Sequence, residues 1–516
     1  MRSVRIRILA VVLVLVAVGV GGWQLLPTGG GGTITVGTTD AVTALDPAGA
    51  YDAGSWDLFS NVFQSLLTFE PGGAAPVPDA ARSCGFVGTG LTTYRCTLKE
   101  GITFPSGHRM TAEDVKFSFD RVRSIDSAVG PAPLFDTLGS VDAEGLTVTF
   151  HLSSPDATFP FKVATGAGSI VDRTRYSGHS LRTGNGVDGS GPYTLKTYTK
   201  DQRAVLTPNS RYRGAARSNG ESAVVRYYAT PGKLDAAWKA KKVDVVARTL
   251  PPKVLAGLSP SDPGHRVTEA AGAETRNLYL DVRAGSPLHD RRVRQALALL
   301  VDREELAATT YQGTVDPLYS LIPAGITGHT DSFFDAYPKP DPARAKALLA
   351  AAGVKTPVRF TYGYAKGRDA AGAEAAELKR QLERGGLFQV TLKGYEWTDF
   401  QKRYADGELD AYAVGWVADF PDPDNFTAPL VGTGGSMKNG YSSKDVDRRI
   451  QDSRQYADRS RTEGDFRAVQ DDVARDVPLV PLWQRKDYVL SSEAVGGGQY
   501  LSDGTGVFRL WSLDRI

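Results

Sequence analysis

Sulfur is scarce in this chain of 516 residues, which has two cysteines, Cys84 and Cys96, and three methionines. So few thiols exclude a cysteine-rich scaffold. The spacing of the pair fits neither a C-x-x-C redox motif nor a zinc pattern. The two flank a glycine-bearing turn, Gly85 to Gly90, and in an exported chain they read as a structural disulfide. Histidine is also sparse. His108, His151, His179, His265, His289 and His329 are spread along the chain, and none forms an i, i+4 pair able to hold a metal on one helix face. There is no G-x-S-x-G elbow, no H-E-x-x-H and no G-x-x-x-x-G-K-[ST] loop. No catalytic motif is therefore recognised, and no cofactor or metal is expected. A hydrolase built on paired carboxylates stays open, because 58 acidic residues leave many possible pairs.

Strong charge of one sign is missing as well. The net charge is +2, and Arg2, Arg5 and Arg7 alone account for that excess. No basic stripe is present, which argues against nucleic acid as a partner.

Those arginines precede an apolar run from Ile8 to about Trp23, the pattern of an export signal. The run is short for a membrane span but close to the lower limit. No clear A-x-A site follows, and no cysteine is near, so a lipoprotein anchor is not expected. Gly29 to Gly32 make a flexible spacer. The reading is a signal peptide or membrane anchor over 1–32, with the body outside the cytoplasm, either tethered or secreted.

The composition, 41% hydrophobic and 23% charged, is that of a globular protein, and the length calls for two or three lobes. Alternation predicts strands at Thr33 to Thr38, Leu146 to Leu152, Tyr193 to Thr197, Asn277 to Val282 and Tyr488 to Ser491. Helical spacing with caps predicts Thr111 to Arg123, one long helix opened by Asp290 and stopped near Gly313, and a helix begun by Asp341–Pro342. Asp419, Asp422 and Asp424 resemble the start of a calcium loop. The glycine and glutamate such a loop needs are missing, and two prolines interrupt it.

Five stretches carry a resemblance. They are Leu45 to Phe69, Tyr94 to Arg123 (YRCTLKEGITFPSGHRMTAEDVKFSFDRVR), Gly189 to Tyr193 (GSGPY), Pro287 to Leu306 and Gly415 to Phe426 (GWVADFPDPDNF). In this order they resemble extracellular solute-binding protein family 5, the peptide and nickel class of ABC-importer receptors. The chain departs from many members in lacking the lipid-bearing cysteine. The resemblance implies an α/β fold of the type II periplasmic-binding-protein kind. Two lobes would be joined by crossing segments near Ala273 and Tyr488 around a hinged cleft, with an extra N-terminal α+β subdomain. Lobe I would be 33–50, 189–272 and 487–516, the extra subdomain 51–188 and lobe II 273–486.

It also implies a monomer that binds a small peptide and delivers it to an ABC permease. An oligosaccharide or metal chelate is the alternative solute, and a surface enzyme or signalling receptor the more distant one. Asp419 matches the aspartate that holds a peptide ammonium in such proteins; otherwise it caps the Pro421–Pro423 turn. Trp416 would wall the pocket or sit in the core. Trp397, Tyr51 and Trp56 are further candidate walls.

Overall fold

The computed structural model describes residues 32–217, 219–248, 250–259, 261, 263–368, 370–502, 505 and 507–516. The expected export segment lies almost wholly outside them. Among the described residues no helix is long and apolar enough to cross a membrane.

Strand Thr33–Thr38 alternates as its sequence predicts and buries Ile34 and Val36. It lies between two parallel partners, with Val36 opposite Val225 on one side and Val245 on the other. It belongs to an eleven-stranded sheet. Ten strands run in the order Phe388–Tyr395, Val358–Ala365, Ala411–Val417, His265–Leu280, Leu479–Ser492, Val245–Ala247, Thr33–Thr38, Ser222–Tyr227, Arg203–Pro208 and Tyr193–Thr199. The eleventh, Val315–Pro317, pairs with Leu479–Ser492.

The centre of this sheet is a long antiparallel pair, His265–Leu280 against Leu479–Ser492. Its two ends feed different cores. Val489 packs with Ile34, Val225, Phe59 and Phe119. Leu278 and Leu482 pack with Leu297, Tyr362, Tyr412 and Val473. Burying apolar surface in two places divides the chain into two lobes, and this pair crosses between them. Midway, the register slips between Ala271 opposite Lys486 and Thr275 opposite Gln484.

Two differences from the sequence reading have physical causes. The helix opened by Asp290 is two helices, Arg291–Ala298 and Arg303–Thr309. Asp302 restarts it, accepting from the Glu305 amide at 2.8 Å, and its own amide donates to Gln381 Oε1 at 2.8 Å. Val293, Leu297, Leu300 and Val301 are all buried, so the hydrophobic period reported burial correctly and missed the cap. The last crossing strand begins at Leu479, well before the predicted Tyr488. Its first six residues, Leu479 to Gln484, are all buried, so alternation, the signal of a half-exposed strand, is missing there.

A smaller antiparallel sheet orders Ala81–Phe86, Thr93–Leu98, Thr147–Leu152 and Leu138–Glu144. Helix Ala112–Ile125 covers it through Phe119, which meets Phe150 edge-on with centroids 4.8 Å apart. Thr111 and Asp114 form a capping box at the start of that helix. Cys84 and Cys96 stand directly opposite one another in this sheet and are joined by a disulfide. Replacing both by alanine is expected to lower unfolding free energy by about 2–3 kcal/mol, measured by urea denaturation. A loss below about 0.5 kcal/mol would mean the ladder holds without the bridge.

Candidate functional site

Strand Ala411–Val417 pairs antiparallel with the crossing strand, Trp416 lying opposite Thr275. It therefore ends beside the slipped register, where the two lobes meet. Ala418 forms one more bridge, to Thr505, and the next residue is Asp419. The strand thus carries Trp416 and Asp419 to the cleft.

Asn425 fixes both. Its Oδ1 accepts from the Asp419 amide at 2.9 Å and from Trp416 Nε1 at 3.2 Å. Its Nδ2 donates to Asp419 Oδ2 at 2.7 Å. Asn425 is 2% exposed, so its amide must find partners inside the protein, and these are the ones it finds. From the other lobe, Tyr51 donates its hydroxyl to Asp419 Oδ2 at 2.6 Å. The Tyr51 ring stacks on Trp56 at 5.3 Å and meets Trp416 edge-on at 6.3 Å.

Both bonds to the carboxylate reach Oδ2. No described residue donates to Oδ1. Burial pushes the Asp419 carboxyl up to about 6, with the Tyr51 and Asn425 bonds opposing the rise. Burial, and then the Asp419 charge, push the Tyr51 phenol far above its ordinary value, so it remains a donor. The arrangement is a carboxylate held rigidly by one oxygen, with the other free to take a ligand's donor.

Four of the five candidate residues, Tyr51, Trp56, Trp416 and Asp419, therefore meet. Trp56 lies beneath the others: it is 3% exposed and donates to the Ala50 carbonyl at 3.2 Å. Its indole rests on Gly166, where a Cβ would come within 2.6 Å of the ring. Trp416 is partly buried and packs against the second core. Trp397 stands apart, on helix Trp397–Ala405, with the Arg368 guanidinium 4.0 Å above its ring and Phe400 at 5.9 Å.

The neighbouring acids are occupied by arginines. Asp422 receives Arg459 at 2.7 and 2.8 Å, and its Oδ1 also accepts from the Asp424 amide, so Asp422 rather than Asp419 braces the proline turn. Arg454 grips Asp424 at 3.0 and 3.2 Å and reaches across the cleft to Asp136 at 3.0 Å. Lys162 continues this network to Asp136 and Asp156, at 3.1 and 2.8 Å. Burial alone would raise both carboxyls; Lys162 and Arg454 hold them below the usual range. Phe161 faces Phe420 across the same gap, 5.9 Å between centroids.

Sequence reasoning missed Asn425 and Arg454. It also missed the convergence of His108 with Asp114 and Asp172. There Asp114 accepts from His108 and from the Thr111 amide, and Asp172 from Ser106 and Thr174, so the group ties down a helix start. Asn425 had one available signal, an amide side chain in the first turn of helix Asp424–Val431, directly after a proline turn. Asn425→Ala is expected to weaken ligand binding about tenfold, because Asp419 and Trp416 lose their common anchor. Calorimetric titration checks this, and an unchanged affinity would remove the positioning role.

Comparison with known proteins agrees with this architecture. The solved structure of the ABC transporter-associated periplasmic binding protein DppA from Helicobacter pylori, in complex with peptide STSA, superposes with a TM-score of 0.83. The two are 22% identical, over 94% of this chain and 98% of that one. Together with other neighbours of this kind, it establishes the two-lobed α/β fold of type II periplasmic binding proteins. Among curated relatives, Di/tripeptide-binding protein 2 of Pseudomonas aeruginosa (strain UCBPP-PA14) is 27% identical over 486 residues, 87% of this chain and 89% of that protein. The dipeptide-binding protein of Escherichia coli (strain K12) is 27% identical over 428 residues, 76% of each. Residues 75–438 match the family described as bacterial extracellular solute-binding proteins, family 5. The chain belongs to that family of extracytoplasmic solute-binding proteins.

Proposed function

We propose that this protein captures short peptides outside the cytoplasm, holding the ligand's amino end on Asp419, and presents them to an ABC permease in the membrane. The observation that carries this reading is the open Oδ1 of a carboxylate whose Oδ2 is already fixed by Tyr51 and Asn425. An ammonium enclosed between two lobes needs a charge partner and acceptors to offset its lost hydration. Tyr51, Trp56 and Trp416 supply an aromatic surround. The relatives named above, two of them called dipeptide- or di/tripeptide-binding proteins and one solved with a peptide, support the same solute class.

Capture works by hinge closure about the crossing strands, driven by the ligand's greater affinity for the closed form. The ligand leaves chemically unaltered, since binding alone performs the task. Residues 1–32 either anchor the protein at the outer face of the cytoplasmic membrane or are removed on secretion.

The test is calorimetric titration with di- to tetrapeptides and with their N-acetylated forms. Unblocked peptides are expected to bind and acetylated ones to lose at least a hundredfold. Equal affinity for both would overturn the amino-end reading. Turnover of the peptides, detected by mass spectrometry, would overturn the binding-only reading.

The pH profile follows from the same group. Asp419 must be ionised to hold an ammonium, and its carboxyl titrates at about 6. Affinity is expected to fall above about pH 8, as the ligand's own α-ammonium loses its proton, and to fall about tenfold between pH 7 and pH 5. A flat profile across that window would mean the ligand does not meet an ionised Asp419.

A further inference from the structure

The pair of strands that crosses between the lobes has two flanks. Ala411–Val417 lies along the His265–Leu280 flank and leads to Trp416 and Asp419. On the Leu479–Ser492 flank, Val245–Ala247 pairs in the first lobe and Val315–Pro317 in the second. Lys486 to Tyr488 lie between these two short partners, and there a groove of about 280 Å³ opens. Leu255 and Leu258 form one wall, Gln312 and Thr314 the other, and Lys486 and Tyr488 are part of the floor. Leu255 packs with Val246, whose neighbours Val245 and Ala247 belong to the first core. Gln312 and Thr314 stand between Tyr311 and Val315, both in the second core. Each wall therefore moves with its own lobe.

Groove and cleft lie on opposite faces of the crossing pair. Alternation along the strand sends Lys486 and Tyr488 to one face and Asp487 to the other. Asp487 accepts from the Ser502 hydroxyl at 3.4 Å. Three residues on, Thr505 bridges Ala418, the neighbour of Asp419. Asp419 is thus on the Asp487 side, and the groove is behind it. Tyr51 with Asp419, and Arg454 with Asp136, join the lobes across the mouth, so the lobes stand closed. Opening would rotate one lobe about strands that run between cleft and groove. Widening the cleft must then narrow the groove.

We infer that the groove is the space into which the lobes swing on opening, so that the side chains filling it set how readily the closed form releases its solute. This rests on the hinge-closure reading above and adds its regulation. A bulkier groove obstructs the open form alone and leaves the closed form and its ligand contacts unchanged. Apparent affinity is the intrinsic affinity scaled by the population of the competent form, so obstruction behind the hinge strengthens binding without touching the solute.

Ala256 also lines the groove, and its φ of −63° and ψ of −22° accept any residue. Ala256→Trp is expected to raise peptide affinity about tenfold, through slower dissociation, in calorimetric titration and surface plasmon resonance. The empty variant should also have a smaller radius of gyration than the unaltered protein in X-ray scattering. Lys253→Trp adds the same bulk on the same helix outside the groove and should change neither quantity. Leu258→Trp serves if the first variant does not fold, which thermal unfolding reports. A folded groove variant with unaltered affinity and radius, or a gain shared by Lys253→Trp, would overturn the inference. Scattering needs no ligand. A compacted empty variant, with no peptide bound by any form, would count against the proposed solute and uphold the role of the groove.

Discussion

Asp419→Asn is expected to weaken the binding of an unblocked peptide at least a hundredfold. Asparagine keeps the shape, and its oxygen can still accept from Tyr51 and Asn425, so the local geometry survives. What is lost is the charge. Leaving one member of a buried pair alone costs roughly 3–5 kcal/mol, against about 8 kcal/mol for the whole of a micromolar interaction. The effect should fall on dissociation, because the group is enclosed and not a steering charge at the rim. The same substitution has a second, opposite expectation. The folded carboxyl titrates at about 6, above its unfolded value of about 3.9. A raised carboxyl contributes stability that is complete below the unfolded value and is lost as pH rises through the folded one. At pH 7 the ionised Asp419 therefore strains the empty protein, and the asparagine variant should be more stable by on the order of 1–3 kcal/mol. Urea denaturation beside calorimetric titration reads both. A variant that binds worse and is also less stable would point to a structural role only.

Arg454→Ala is expected to lower stability by about 3 kcal/mol and to open the two lobes. Arg454 has a side chain 11% exposed and Asp424 one 3% exposed, so deletion leaves a buried carboxylate without its closest cation. The link to Asp136 is weaker, because Asp136 is 48% exposed and keeps Lys162. Asp136→Asn should therefore leave lobe stability within about 0.5 kcal/mol while shifting the empty protein toward a larger radius of gyration in X-ray scattering. If neither variant expands, the cross-cleft ion pairs do not govern closure. The network also has a pH signature. Asp136 and Asp156 are held below the usual carboxylate range. Their contribution is present above about pH 4 and is lost as the pH falls below it.

The sequence motifs located one wall of the site better than its fastenings. Trp416 and Asp419 sit at a strand end with a strong local pattern, and Tyr51 lies just before a capped helix. Asn425 and Arg454 carry no comparable signal. An asparagine in a helix start is common, and an arginine in Lys444 to Tyr456, among alternating charges, reads as solvated surface. What makes each important is a partner far along the chain or across the cleft: Asp136 is more than 300 residues from Arg454. Single elements were legible because hydrophobic period and caps are local, whereas the two-lobed fold class was what the resemblance of the five stretches implied. Elements were misjudged at Asp302 and at Leu479, where a cap or two-sided burial replaced the simple period, and at the strand expected from Asn277, which begins at His265.

The slip in register between Ala271 and Thr275 decides where the molecule can bend cheaply. A regular ladder would resist, since rotating one half would break paired amides in sequence. Here the pairing is already interrupted, so a few torsions absorb the rotation while both flanking ladders stay intact. Resistance to opening is thus concentrated in the side chains that meet across the mouth. Substitution there can retune how long a solute is retained, with neither lobe's interior nor the pivot itself altered.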